Sequence, residues 1–496
     1  MMPSPVKAFP ATALPVTRTS LADFKLNLFD RIRGLHAKHG DIAAVDDGSL
    51  RVVFSFHPRY NQQVLSDATT YHARFFAIRG PKRSAQRRVT CGLLAMNGDQ
   101  HRRNRRAVKE RFSLKAIASY RAPIEGFVDR MLSQWRPGET RGINRDMTRL
   151  MLEVTSTILF GLEEPKLAYE LGEQVAAWVA MNHELGVGAL VPDATFSARY
   201  EELLQFAEGL EERVMEMIRR RRRETGGRHD VLSLLVRSHD EEGGLSDEEL
   251  VGQACVLFGA AHMTTSHSLT WTLLLLAQHP EIARQLWTES TRSNLLGGEG
   301  RGGDFNSPSS VLGGGARGGG NSPSEPLVDR IIRESMRVLP ASAYSQRIND
   351  VAVKLGPFDL PRGTPIVFTP LVTHHLAEFY PEPERFDPGR WLTIRPSAYE
   401  YIPFGGGPRL CIGGPLAMEI LRITLPRIAA KFALALEPGV EINAEVCGTM
   451  LNPAGPVPMR LAPAGTGYAT QEVRGNVNEL CDFPIAEPSG PRRRTK

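Results

Sequence analysis

One decapeptide constrains this chain more than any other: Phe404-Gly405-Gly406-Gly407-Pro408-Arg409-Leu410-Cys411-Ile412-Gly413. It sets a cysteine in a glycine-rich loop directly ahead of a helical apolar pattern, Pro415-Leu416-Ala417-Met418-Glu419-Ile420-Leu421. The spacing predicts Cys411 at a helix N-terminus, where the macrodipole and free backbone N–H groups favour a thiolate, the form of cysteine that ligates metals. Gly407 and Gly413 permit a sharp turn and a close approach of backbone to a large flat ligand. Arg409 stands two residues before the cysteine, placed to meet a carboxylate of such a ligand by charge-assisted hydrogen bonds. The competing reading is a glycine-rich turn around a structural cysteine, and five specified positions in ten residues weigh against it.

At 496 residues the chain exceeds an ordinary domain but suits a single large helical enzyme. Five cysteines, Cys91, Cys255, Cys411, Cys447 and Cys481, are scattered without a Cys-x-x-Cys pair. That argues against a disulfide framework and a zinc ribbon, and favours a reducing, cytoplasmic setting. Residues 1–20 carry prolines at 3, 5, 10 and 15 and no long apolar run, so neither a signal peptide nor a membrane anchor is expected there. The net charge is a mild +5, with five consecutive arginines at Arg219 to Arg223. No aromatics interleave them, which points to a solvated helix end and away from a nucleic-acid surface.

Periodicity predicts a mainly α chain with a small β part. A helix and a hairpin are expected over 20–60, with Arg51 to Phe56 as a short strand. Helical patterns run almost continuously from about 100 to 290, short strands follow over 340–375, and helix resumes from 411. The sequence divides into a loose N-terminal segment (1–19), a domain (20–463) and a loose C-terminal tail (464–496). Within the domain, 293–325 is a glycine-, serine- and proline-rich tandem duplication, too poor in apolar residues to pack, and is expected to be a dispensable insertion between two helices.

The order Phe-x-x-Gly-x-Arg-x-Cys-x-Gly resembles the heme-binding signature of the cytochrome P-450 family. The resemblance implies that Cys411 is the proximal iron ligand, in a loop where Phe404, Arg409 and Gly413 also belong to the cofactor site. Other segments fit the same family in the same order. Phe258-Gly259-Ala260-Ala261-His262-Met263-Thr264-Thr265-Ser266 resembles the distal helix, with Thr264 at the oxygen-activating threonine, Ala261 in place of a glycine and Met263 in place of an acid. His101 and Arg105, at i and i+4, match heme-propionate ligands, and Arg347 matches a third. Glu334 and Arg337, at i and i+3 on a helical segment, together with Arg385 of Pro383-Glu384-Arg385-Phe386, resemble the Glu-Arg-Arg triad that holds the proximal loop.

Taken over roughly 20–463, the resemblance implies the cytochrome P-450 fold, with heme b between the distal helix and the proximal cysteine loop. The implied activity is a heme-thiolate monooxygenase inserting one atom of O2 into a small organic substrate. Its electrons come from NAD(P)H through external partners, a ferredoxin or flavodoxin and its reductase, since no redox module is visible. Arg102, Arg103, Arg106 and Lys109 are expected to face outward and dock that carrier. No nucleic-acid partner is expected. Because Met263 relays no proton, a peroxygenase or an isomerase- or coupling-type catalyst stands as the alternative, with a heme-binding sensor behind it. The pocket lining is expected from 72–96, 176–200, Ala260, Ala341 to Tyr344 and Met450 to Leu451.

Overall fold

The computed structural model describes residues 13–73, 78–161, 165–188, 194–223, 230–240, 245–295, 325–468 and 470–484. Its axis is the helix Asp247–Gln278, 32 residues long and about 48 Å from end to end. Ser246 and Glu249 close a reciprocal capping box at its start, and Asp247, Glu248 and Glu249 meet the positive end of the dipole. Pro280 follows its last residues and stops it. Apolar residues lie on all sides of this helix, as befits one enclosed by others, and it packs most extensively on Ile143–Phe160. The helices Leu114–Ser133, Pro165–Gly188, Ala194–Arg223, Leu327–Val338 and Gly414–Lys431 complete the helical body.

Beside it lies a six-stranded mixed sheet in the order Val16–Arg18, Ile42–Asp46, Arg51–Ser55, Pro365–Phe368, Ser345–Asn349, Tyr71–Ala73. The expected hairpin is present, with Val45 opposite Val52. The sheet joins distant parts of the chain, since Val53 pairs with Ile366. It thereby holds Ser345–Asn349, which carries Arg347, against the helical body. No described helix is long and apolar enough to cross a membrane.

Three expectations change. The arginine run ends the helix Ala194–Arg223, but Arg221 is buried, donates to the Phe160 carbonyl and faces Asp230 at 3.8 Å. Arg222 pairs with Asp247. The run therefore helps to tie the helices together and is not wholly a solvated end. Residues 1–19 are not uniformly loose, because Val16–Arg18 adds a parallel edge strand to Ile42–Asp46. The tail is likewise not loose from 464 onward. Val473, Val477, Leu480 and Cys481 are buried, the Asp482 N–H donates to the Glu384 carbonyl at 2.9 Å, and the Ile442 N–H donates to the Arg474 carbonyl at 2.7 Å. Gly475 turns this strap at φ 103°, with the Ile442 carbonyl oxygen 2.3 Å from where a Cβ would stand. The duplicated stretch is the remaining case, and its residues 296–324 lie outside the described residues.

Each buried apolar side chain of the strap contributes about 1.5–3 kcal/mol. A chain ending at Pro463 is therefore expected to melt several degrees below one ending at Pro484. Equal melting temperatures in a thermal unfolding comparison would show the strap to be idle.

Candidate active site

The proximal loop is built by backbone constraint. Gly405 and Gly407 adopt φ 71° and 63°. At Gly407 a Cβ would stand 2.0 Å from the Leu65 carbonyl oxygen, so glycine is required there. The Cys411 N–H donates to the Phe404 carbonyl at 2.9 Å, closing the loop, and the helix Gly414–Lys431 starts three residues later. Gly413 has an ordinary φ of −84°. Its role is space and a free N–H, not an unusual backbone angle. The Cys411 sulfur opens onto a large cavity deep in the protein. Burial pushes its thiol pKa up, while the Gly413 and Gly414 N–H groups and the Arg105 charge pull it back. Burial is the largest of these, and the net direction is upward. A metal cation at the sulfur would reverse that balance.

The same cavity, about 360 Å³, is lined by His101, Arg105, Arg347 and Arg409. Arg105 donates to the Leu410 carbonyl at 2.7 Å and Arg347 to the Gln346 carbonyl at 2.8 Å. Arg409 donates to Asn97 Oδ1 at 2.9 Å and to the Met96 carbonyl. Among the described residues no carboxylate pairs with any of the three guanidiniums, and Arg409 Nε is buried without a partner. They repel one another. Burial and the neighbouring Arg409 lower Arg347 to about 9, and burial with Arg105 lowers Arg409 to about 10. Burial and all three guanidiniums hold His101 down to about 4. Buried cations so arranged fit a ligand carrying two carboxylates. Together with the cysteine, this donor set fits the propionates and iron of heme.

Facing this region, the central helix lines the cavity with Gly259, Ala260, Ala261, Thr264, Thr265 and Ser268. Thr264 Oγ1 donates to the Ala260 carbonyl at 2.8 Å. His262 turns away, stacked on Phe258 with centroids 5.5 Å apart, and burial lowers its pKa to about 4. Met263 does not line the cavity. Of the expected lining, Ala73, Leu93, Trp178, Asn182, Ala341 and Met450 do contribute, whereas Leu451 does not. The sequence reading missed Met151, Val154, Thr155 and Ile158 from Ile143–Phe160, whose apolar spacing reads as ordinary core. It also missed a clasp over the cavity, in which Gln86 Nε2 donates to Asn182 Oδ1 at 2.9 Å and Trp178 Nε1 donates to Gln86 Oε1 at 2.8 Å.

Glu334 and Arg337 form the expected buried pair, at 3.0 and 2.9 Å. The third arginine is Arg390, not Arg385. Arg390 Nε donates to Glu334 Oε1 at 3.1 Å, as does the Asp387 N–H at 3.0 Å. The Arg385 side chain is 59% exposed and pairs with Glu382, so only its carbonyl joins the network, accepting from Arg337 at 3.0 Å. The reason is local. Asp387 Oδ1 accepts from the Gly389 N–H at 2.8 Å and opens a 3₁₀ turn, Pro388–Leu392, that swings Arg390 inward. The Asp387-Pro388-Gly389 turn chemistry ahead of Arg390-Trp391 was the available signal. Arg390→Ala would strand part of a buried carboxylate, at a cost of about 3–5 kcal/mol, and is expected to yield little heme-loaded protein. Arg385→Ala should match the unsubstituted chain in heme content and melting temperature.

Comparison with known proteins agrees with this geometry. The family model described as Cytochrome P450 matches residues 12–298 and 322–458, leaving out most of the duplicated stretch. The chain is 31% identical over 434 residues to a cyclooctat-9-en-7-ol 5-monooxygenase of Streptomyces melanosporofaciens, covering 86% of this chain and 89% of that one. It is 27% identical to a pentalenene oxygenase of Streptomyces avermitilis, covering 84% and 89%. Among solved structures, the heme domain of cytochrome P450DA superposes with a TM-score of 0.73 at 22% identity, over 91% of this chain and 98% of that one. The retinoic-acid-bound cyanobacterial CYP120A1 gives 0.70 at 21% identity, over 88% and 94%. With a free cysteine at the head of a helix, a set of unpaired cations on one cavity and a family match across nearly its whole length, the chain belongs to the cytochrome P450 family of heme-dependent monooxygenases.

Proposed function

We propose that this enzyme hydroxylates a cyclic terpenoid, holding heme b through Cys411 with its propionates on His101, Arg105, Arg347 and Arg409. The observation that carries the reading is the cysteine and the carboxylate-free cation set opening on one cavity, with Thr264 on the same wall system. The balance is RH + O2 + NAD(P)H + H⁺ → ROH + NAD(P)⁺ + H2O, and heme, when bound, supplies the activation of O2. The protein's own residues do the rest. Arg105, Arg347 and Arg409 would neutralise and orient the cofactor's acid groups, the Gly413 and Gly414 N–H groups would steady the sulfur, and Thr264 would present a hydroxyl on the opposite wall of the cavity. The wide apolar lining, with Leu93, Val179, Ala260, Ala341 and Met450, suits a hydrocarbon skeleton. The names of the two Streptomyces relatives, an oxidiser of cyclooctat-9-en-7-ol and one of pentalenene, support the terpenoid class.

For the electron donor we favour an acidic ferredoxin or flavodoxin acting in the cytoplasm. It would dock beside the helix Gly98–Lys109, where Arg106 and Lys109 are exposed and no described carboxylate pairs with them. Arg102 and Arg103 are exposed as well, but Asp99 and Glu249 already engage them, so they contribute less.

Two outcomes test this reading. Reduced protein exposed to CO is expected to show the red-shifted Soret band of thiolate ligation, and Cys411→His should lose it. A histidine-type band from the unsubstituted chain would overturn the assignment. Arg106→Glu with Lys109→Glu should slow reduction by an acidic carrier about tenfold at low salt, a difference that fades as salt rises. Stopped-flow reduction rates that ignore both charge and salt would rule out this docking face.

A further inference from the structure

Among the described residues lining the cavity there is no aspartate and no glutamate. The central helix sets hydroxyls on the distal wall, and the protons of two of them are already engaged. Thr264 Oγ1 donates to the Ala260 carbonyl at 2.8 Å, and Ser268 Oγ donates to the Thr264 carbonyl at 3.0 Å. Across the cavity, the Trp178 indole N–H is committed to Gln86. A hydroxyl whose proton is spent on its own helix still has acceptor lone pairs. Thr264 Oγ1 is exposed to the cavity, with only Gly259, Ala260 and Ala261 beside it on the preceding turn. An acceptor set among apolar and small residues favours a ligand that brings a donor, because an unpaired polar group shut away from water costs free energy. At Thr264 Oγ1 an alcohol meets that demand, whereas a hydrocarbon, an ether or a ketone brings no donor.

We propose that the natural substrate enters already hydroxylated, and that Thr264 Oγ1 accepts a hydrogen bond from that hydroxyl. This deepens the terpenoid reading and rests on it. The bond fixes one point of an otherwise apolar skeleton against the small-residue stretch Gly259–Ala261 and so selects which carbon faces the reaction centre. The product is then a diol or a more oxidised relative. The reaction supplying the substrate must itself install a hydroxyl, either a cyclisation whose cation is quenched by water or an earlier hydroxylation of the same skeleton.

The test uses the heme-loaded full chain and matched trios on several polycyclic C15 skeletons, such as cedrane, cedrol and cedryl methyl ether. Binding is read from the ligand-induced shift of the heme spectrum. For at least one skeleton the alcohol is expected to bind about tenfold tighter than its methyl ether, which keeps the oxygen but cannot donate. Thr264→Val, which preserves shape, should erase the preference, and Thr264→Ser should restore it. The proposal is overturned if alcohol and ether bind alike on every skeleton, or if the preference survives Thr264→Val. The thiolate-type CO spectrum and hydrocarbon binding, measured on the same samples, separate that failure from a failure of the monooxygenase reading.

Discussion

The buried Glu334 carboxylate is the interaction on which the rest of this site depends. It takes two hydrogen bonds from Arg337, one from Arg390 Nε and one from the Asp387 N–H. A carboxylate with no exposure survives only with such saturation. From it the support runs outward without a break. Arg337 donates to the His374 carbonyl at 3.0 Å, and His374 Nε2 accepts from the Ile402 N–H at 2.9 Å. The Ile402 carbonyl accepts from the Gly405 N–H at 3.0 Å, and the Phe404 carbonyl holds the Cys411 N–H. Each link joins a charge that cannot move to the next piece of backbone, so the sulfur position is inherited from Glu334. The C-terminal strap reinforces the same region, since His375 Nε2 lies 2.9 Å from the Leu480 carbonyl oxygen.

The cation set has the opposite character. Where Glu334 is saturated, Arg105, Arg347 and Arg409 are under-compensated: burial lowers the proton affinity of all three, Arg409 adds to that at Arg347, and Arg105 adds to it at Arg409. Without an anionic ligand this is stored repulsion in a partly dry setting. A ligand with two carboxylates removes it, and whatever binds only the folded chain stabilises it by mass action. A cofactor held by these three guanidiniums would couple its capture to folding, and the loop that carries Cys411 also carries one of them.

How far the sequence reveals this depends on how local each constraint is. The Cys411 loop is legible because Gly405 and Gly407 need left-handed backbone angles and the cysteine sits a fixed number of residues from them. Glu334 and Arg337 are legible because residues three apart on a helix share a face. Arg390 was not, although it lies only five residues beyond Arg385. Which of two nearby arginines turns inward is set by the 3₁₀ turn at Pro388, a tertiary choice that spacing does not encode. The strap around Gly475 was missed for a related reason. Its four buried residues are spread over nine positions with no helical or strand period, and their burial is dictated by the grooves they meet. At the Cys411 sulfur, desolvation raises the thiol pKa against two backbone N–H groups and the Arg105 charge, a balance set by tertiary surroundings that spacing does not encode.

The two sides of the cavity divide the work accordingly. On the cysteine side the Glu334 network fixes the backbone and the guanidiniums await an anion, and substitution there is expected to cost cofactor before it alters chemistry. On the Thr264 side the wall is a turn of small residues followed by one exposed hydroxyl, and few charges or long side chains constrain what lies against it. Specificity on that side must come from shape and from a very small number of hydrogen bonds. Exchanging one apolar contact for another of similar volume shifts preference only modestly, whereas leaving a built acceptor unmatched is penalised far more. A single threonine oxygen set in an apolar wall can therefore discriminate between skeletons of the same size more sharply than the whole apolar surface around it.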